Sequence, residues 1–251
     1  MDTPNTPISA RDRLILVLDV PDLDSAVAWH ERMSPYVDRF KVGLELFSAH
    51  GPAVFQRIPA DRVFLDVKYH DIPNTVLGAS RAAARLGVWM FNVHAPGGSA
   101  MLRAARQGAD EGADAIGRQP PVVLAVTVLS SVDAAALRDE IGVQRPIEEQ
   151  VVAMARMAQD AGLDGVVASA PEVARIRAAC GPDFVVMTPG IRPVGADKGD
   201  QKRVMTPAEA VRAGSTYLGI GRPVTAAADP EAAIRAILDE VATAMVEKGP
   251  A

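Results

Sequence analysis

Residues 63–87 read VFLDVKYHDIPNTVLGASRAAARLG and predict one strand followed by one helix. The run 63–69 is short, largely apolar and rich in β-branched and aromatic residues, which is typical of a buried strand. The stretch 74–87 has the apolar spacing of an amphipathic helix and ends at Gly87, a residue favoured just after a helix. The segment therefore predicts a βα unit, and its strand carries charged side chains.

The same alternation of short apolar runs and amphipathic stretches continues along the whole chain. The predicted strands are 14–20, 39–47, 63–69, 90–95, 122–129, 165–169, 184–190 and 217–223. Eight βα units in 251 residues predict a parallel α/β fold, the (β/α)8 TIM barrel. An open doubly wound sheet is the alternative, but it needs glycines after strand one, and LDVPDLDS (18–25) has none. We expect a single domain over 1–251, with 1–12 as a flexible N-terminal extension.

Composition narrows the possible partners. The net charge is −5 and there is no block of basic residues, so a nucleic-acid polymer is not expected. No apolar run approaches the roughly 18 residues of a membrane span, and the polar N-terminus lacks the apolar centre of a signal peptide. The single Cys180 fits a reducing compartment. These features predict a cytoplasmic protein that does not bind membranes.

Two segments exceed what the barrel requires. Residues 131–146, SVDAAALRDEIGVQRP, predict a short extra helix before the fifth main helix. Residues 192–205, RPVGADKGDQKRVM, predict a long polar loop after strand seven. Loops of that length in a compact domain often act as lids over a binding site.

Charged residues converge on the rim where barrel strands end, which is where barrels place their active sites. Asp66 and Lys68 share one face of strand three because side chains alternate along a strand. Asp19 and Lys41 are expected on neighbouring strands, which makes an alternating acidic and basic array. Such an array keeps aspartates ionised and lysines protonated, and a protonated lysine can act as a general acid. A purely structural ion pair remains the alternative interpretation.

A second group of residues follows strands seven and eight, where barrels commonly bind phosphate. Gly219 and Gly221 allow backbone N–H groups to approach an anion, and Arg222 offers a charge-assisted fork. Arg192 and Gln201 lie at or in the long loop. A simple strand-ending turn is the alternative interpretation of these glycines.

Metal and cofactor sites are not predicted. The four histidines lack the spacing of a zinc site, and no flavin, thiamine or pyridoxal signature is present. Ser130 has no base beside it in the sequence, so the pattern does not favour a nucleophilic serine.

Five motifs occur in a fixed order along the chain: FKVGLELF (40–47), FLDVKYHDIPNT (64–75), PGIRP (189–193), GDQKR (199–203) and IGRP (220–223). Together they resemble orotidine 5′-phosphate decarboxylases of the compact bacterial type. The resemblance covers nearly the whole chain. The family decarboxylates orotidine 5′-phosphate to UMP in the last step of de novo UMP synthesis, without a cofactor or metal.

The resemblance implies a role for each residue of the third-strand motif. Lys68 would stabilise the carbanion at C6 and then protonate it. Asp66 would lie against the departing carboxylate and hold Lys68. A homodimer is also implied, in which Asp71 completes the charged array of the partner subunit and Thr75 contacts the partner's ligand.

The resemblance also implies a set of substrate contacts. Asp19 and Lys41 would bind the ribose hydroxyls. Ser130 would bind the pyrimidine edge, although this chain has LSS where related enzymes often have LTS. The residues implied to hold the phosphate and the closed loop are Arg192, Gln201, Gly221 and Arg222.

Two other functions are compatible with parts of the pattern. A magnesium-dependent 3-keto-gulonate-phosphate decarboxylase or a hexulose-phosphate synthase would use the third-strand carboxylates to hold a metal. A non-catalytic barrel would bind a phosphate ligand without turnover. Lys68 and the GDQ loop argue against the first of these.

Overall fold

Eight parallel strands form a closed barrel in a computed structural model that describes residues 8–193 and 205–248. The strands follow chain order around the barrel, and β1 pairs with β8 through Leu14 and Leu218 to close it. The strands are β1 Leu14–Val17, β2 Arg39–Gly43, β3 Val63–Tyr69, β4 Met90–His94, β5 Val122–Val126, β6 Gly165–Val167, β7 Val185–Thr188 and β8 Tyr217–Ile220. The predicted TIM barrel is confirmed.

Helices connect the strands and surround the barrel. In the described residues they are α1 Ala10–Arg13, α2 Leu23–Met33, α3 Leu44–His50, α4 Pro73–Arg85, α5 Gly98–Asp114, α6 Ile147–Asp160, α7 Val173–Cys180, α8 Pro207–Ala213, α9 Arg222–Thr225 and α10 Pro230–Lys248. Their starts follow local chemistry. Asp22 caps α2 by accepting from the Ser25 N–H, and Thr206 and Glu209 form a reciprocal capping box at α8.

Two apolar layers stabilise the fold. Side chains inside the barrel form a small cluster that includes Phe64, Met90 and Met187. A larger cluster fills the space between the strands and the helices. The inner cluster fills the interior of the barrel below the carboxyl ends of the strands.

The second strand is shorter than predicted. The predicted run 39–47 ends as a strand at Gly43, and Leu44–His50 is α3. The prediction was wrong there because the apolar residues of LELF fit the spacing of a strand and the spacing of a helix equally well. In the helix Leu46 is buried, while Leu44 and Glu45 face outward. Glu45 therefore lies on the exposed face of α3 and does not line the barrel rim.

The predicted insertions have different outcomes. A short π-helical turn, Ala136–Glu140, confirms the extra helix in 131–146. Most of the predicted 192–205 loop lies outside the described residues, but the Arg192 N–H donates to the Met205 carbonyl at 3.0 Å and ties its two ends together. At the N-terminus, Arg11 of α1 bonds Asp38, so residues 10–12 of the predicted extension pack on the barrel.

Helices α4 and α5 pack at unusually close range because α5 presents glycines to its neighbour. A Cβ at Gly108 would lie 2.2 Å from the Leu77 carbonyl oxygen, and one at Gly112 would lie 2.4 Å from that of Arg81. The backbone of α4 cannot move away from an added Cβ as easily as the end of a flexible side chain could. The glycines therefore set the distance between the two helices that follow β3 and β4.

Gly108→Ala should destabilise the protein by about 1–3 kcal/mol through overpacking, although helix propensity alone predicts a gain of about 1 kcal/mol. Gly78→Ala in α4 is the matched control, since a Cβ there meets nothing within 4 Å. Urea denaturation measures both changes. Equal or higher stability for Gly108→Ala would contradict this account of the packing.

Candidate active site

A cleft of about 540 Å³ opens at the carboxyl-terminal rim of the barrel. Residues at the ends of strands that are distant in sequence line this cleft. The predicted site residues that line it are Asp19, Lys41, Asp66, Lys68, Ser130, Arg192, Gly221 and Arg222. Eight of the eleven predicted residues therefore share one cavity.

Four of these residues form a continuous row of alternating charge. The Lys41 Nζ lies 2.9 Å from Asp19 Oδ1 and 3.1 Å from Asp66 Oδ2. The other Asp66 oxygen accepts from the Lys68 Nζ at 2.6 Å. Lys41 lies on β2 and Asp66 and Lys68 on β3, whereas Asp19 lies two residues beyond the end of β1. The row therefore follows the carboxyl ends of the first three strands, which the sequence predicted to be neighbours. Its outer end is open to solvent, since the Asp19 side chain is 63% exposed, whereas Lys41 and Asp66 are 12% and 13% exposed.

Burial and neighbouring charges have opposite effects on the pKa values of Lys41 and Asp66, and the effect of the charges is larger. Burial acts to lower the pKa of Lys41, but the carboxylates of Asp66 and Asp19 outweigh it and raise that pKa above its ordinary value. Burial likewise acts to raise the pKa of Asp66. Lys41, Lys68 and an amide hydrogen bond from Asn92 outweigh it and lower that pKa. Lys41 therefore stays protonated and Asp66 ionised at neutral pH.

The row needs an empty space beside it, and Gly43 provides that space. A Cβ at Gly43 would lie 2.9 Å from both the Asp19 Oδ1 and the Lys41 Nζ. Any side chain at this position would force one member of the first ion pair to move. Gly43 also ends β2 and precedes α3. The sequence pattern, which predicted a strand over 39–47, did not indicate this requirement.

Strand β3 is irregular at the point where it carries Lys68. The register with β4 shifts between Leu65, which pairs with Phe91, and Tyr69, which pairs with Val93. Lys68 has φ of 53° and is the only non-glycine residue with positive φ in the described ranges. The side chains of Asp66 and Lys68 both line the cleft, as the alternation along a strand predicted. The backbone between these two residues is nevertheless not that of a regular strand.

The part of the cleft beyond β7 and β8 carries the predicted anion-binding residues. Arg192 is buried and donates to the Ile191 carbonyl at 2.9 Å. Gly221 precedes α9, whose first residue is Arg222, and a Cβ at Gly221 would lie 3.3 Å from the Val17 side chain. Ser130 lies between the two sides, beyond the end of β5.

Asp71 and Thr75 do not line this cleft. Both are exposed at the start of α4, and the Asp71 Oδ1 accepts from the Ile72 N–H at 2.6 Å. Among the described residues Asp71 forms no salt bridge. The neighbouring Ile72 is 67% exposed, which is unusual for a large apolar side chain. Gln201 lies outside the described residues.

The described residues contain no group of three or more side chains that could hold a metal ion. His70 and His94, whose ring centroids are 5.5 Å apart, do not line this cleft. None of the described helices combines the length and the apolar character needed to cross a bilayer.

The fold and the cleft define an α/β barrel with a charged site at the rim that barrel enzymes use for catalysis. Residues 12–237 match the model of the orotidine 5′-phosphate decarboxylase / HUMPS family, and the chain belongs to this family.

Relatives with known names agree with that assignment. An orotidine 5′-phosphate decarboxylase of Moorella thermoacetica is 58% identical over 92% of this chain and 93% of its own length. One from Nostoc is 48% identical over 93% of this chain and 99% of its own. The crystal structure of the Lactobacillus acidophilus enzyme superposes with a TM-score of 0.78, 38% identity and coverage of 92% and 99%.

The pKa of Asp66 generates a prediction about acid stability. A carboxylate whose pKa is lowered by folding stabilises the fold above its ordinary pKa, and that contribution is lost as pH falls through the folded value. Asp66→Asn removes this titration. Its free energy of unfolding should therefore fall less steeply than that of the wild type below about pH 4.

Urea denaturation between pH 3 and 7 measures this difference, with Asp24→Asn as the control for the loss of one exposed carboxylate. Parallel pH dependences for wild type and Asp66→Asn would contradict the assignment of Asp66 as an ionised group held by the two lysines.

Proposed function

We propose that this protein decarboxylates orotidine 5′-phosphate to UMP, the last step of de novo UMP synthesis. One observation carries the proposal: the Asp19–Lys41–Asp66–Lys68 row and the Arg192 and Arg222 side of the cleft face the same cavity. The substrate has an anionic carboxylate at one end and a phosphate at the other. Membership of the family supports the same reaction.

Lys68 is the proposed proton donor. When the bond from C6 to the carboxylate breaks, its electron pair stays on C6 and CO₂ leaves. The Lys68 ammonium stabilises that charge because it is held beside it before the reaction starts. Its proton then moves to C6 and yields UMP, and the neutral amine regains a proton from solvent. The step needs no electron acceptor, so no cofactor or metal is part of the proposal.

Asp66 has two proposed tasks. It holds Lys68 through the 2.6 Å contact, and it lies against the substrate carboxylate. Two carboxylates side by side repel each other, and the loss of CO₂ removes the repulsion. Asp19 and Lys41, at the more open end of the row, are the proposed partners of the ribose hydroxyls, and Ser130 is the proposed contact of the pyrimidine edge.

The phosphate is the proposed ligand of Arg192, Arg222, Gly221 and Gln201. Binding energy from this remote group assembles the charged site around the reacting carbon. The 192–205 loop joins strand seven to α8, so its closure over the phosphate would exclude water from the cleft.

We propose further that the active unit is a homodimer with Asp71 and Thr75 shared across its interface. Both residues are exposed and lie outside the cleft of their own subunit, and Ile72 between them offers an apolar contact. A C2 interface would place the same segment of each subunit against the other. The cytoplasmic location stays a prediction.

The conversion of orotidine 5′-phosphate to UMP is followed by its loss of absorbance. We expect turnover that persists in EDTA. Turnover that disappears with EDTA would favour a metal-dependent decarboxylase of the superfamily. If the protein binds UMP but orotidine 5′-phosphate shows no loss of absorbance, the protein is a non-catalytic barrel that binds a phosphate ligand.

Lys68→Ala should nearly abolish turnover, because it removes both the stabilising charge and the proton donor. Calorimetry should still detect UMP binding, since the phosphate contacts remain. Arg57→Ala, which removes an exposed cation outside the cleft, is the control and should keep wild-type kcat. A kcat for Lys68→Ala near that of the wild type would refute the proposed role.

Mixing two inactive variants tests the shared site. Lys68→Ala and Asp71→Ala homodimers should each be nearly inactive, but a mixed dimer has one site with an intact Lys68 and an intact Asp71 from the partner. Activity should therefore rise well above both parents after the variants are unfolded and refolded together. No rise, despite exchange of subunits, would place Asp71 in its own subunit's site or outside any site.

A further inference from the structure

The side chain of Asn92 spans the irregular part of β3 from the neighbouring strand. It is completely buried. Its Oδ1 accepts from the backbone N–H of Lys68 at 2.8 Å, and its Nδ2 donates to Asp66 Oδ1 at 2.7 Å. One carboxamide therefore contacts the main chain of one charged residue and the side chain of the other.

The backbone of β3 explains why such a contact is needed. Four residue steps from Leu65 to Tyr69 lie opposite only two on β4, so β3 carries extra residues that the ladder cannot pair. Lys68 adopts a left-handed conformation that a side chain with a Cβ disfavours. A strained residue of this kind persists only where its surroundings hold it. Asn92 supplies the acceptor that β4 would otherwise have supplied through its main chain.

We propose that Asn92 is a positioning residue for the decarboxylation, which holds the Lys68 ammonium and the Asp66 carboxylate in their reactive arrangement. The inference rests on the proposed function of Lys68. Asn92 acts through the two charged residues and does not line the cleft. Its effect is therefore on the chemical step, whereas the contacts that bind the ligand are made elsewhere.

The chemistry of the position favours a neutral group that both accepts and donates. Asp66 already faces Lys41 from β2 and Lys68 from its own strand, and His94 follows Asn92 by two residues on β4. On the other side, β5 presents Leu124 opposite Asn92 and contains no titratable residue. A carboxylate at this position would meet Asp66 without a donor between them. An apolar side chain would leave the Lys68 N–H and one Asp66 interaction unsatisfied.

Asn92→Ala and Asn92→Asp test the proposal, each compared with wild type in kcat, in KM for orotidine 5′-phosphate and in UMP affinity by calorimetry. We expect kcat to fall at least 10-fold, because small displacements of a reacting group are costly, while KM and the UMP Kd change by less than about 3-fold. Asn92→Asp keeps the volume of the side chain and an acceptor for the Lys68 N–H. It provides the test if Asn92→Ala fails to fold.

Ser215→Ala is the matched control. It removes the hydroxyl of another buried polar residue, whose Oγ lies 2.7 Å from the Thr188 Oγ1, and it should lower stability without separating kcat from KM. The proposal is overturned if both Asn92 variants keep kcat within about 2-fold of wild type, or if kcat and UMP binding fall together. An inactive wild type would instead refute the proposed function.

Discussion

The carboxylate of Asp66, held between two ammonium groups, is the interaction on which the rest of the site depends. Its two oxygens lie 3.1 Å from the Lys41 Nζ and 2.6 Å from the Lys68 Nζ. Burial acts against the charges of Lys41 and Asp66, so these charges persist because each has oppositely charged partners. Removing Asp66 would leave the ammonium groups of Lys41 and Lys68 without the carboxylate that lies between them. Gly43 and Asn92 serve this same arrangement, one by leaving space and the other by hydrogen bonding.

The barrel holds the charged row on a rigid scaffold and provides a separate part of the cleft for the phosphate of the ligand. The inner apolar cluster closes the barrel below the rim, and the strands place the charged row on β1 to β3 and the arginine side after β7 and β8. The two sides are far apart in sequence but share one cavity. Binding at the arginine side can therefore assist chemistry at the lysine side without direct contact between the two groups.

Much of this could be predicted from the sequence, for identifiable reasons. Strand and helix periods and helix-ending glycines such as Gly87 are local signals, and they predicted the barrel. The charged row followed from alternation on strand three and from adjacency of the first three strands.

The remaining features depend on tertiary contacts. The left-handed backbone of Lys68, the hydrogen bonds of Asn92 and the space required at Gly43 involve partners from other strands, which no local pattern specifies. The end of β2 was missed because an apolar run such as LELF fits strand and helix equally well. The roles of Asp71 and Thr75 require a second subunit, and Gln201 lies outside the described residues.

A crystal structure of the protein with UMP tests the central claim most directly. The account predicts that the pyrimidine C6 lies roughly 3–3.5 Å from the Lys68 Nζ, the separation of groups poised to react. The phosphate should lie against Arg222 and Arg192 across the same cleft, and Lys68 should keep its positive φ. A pyrimidine bound with C6 turned away from Lys68, or a phosphate bound elsewhere, would contradict the account.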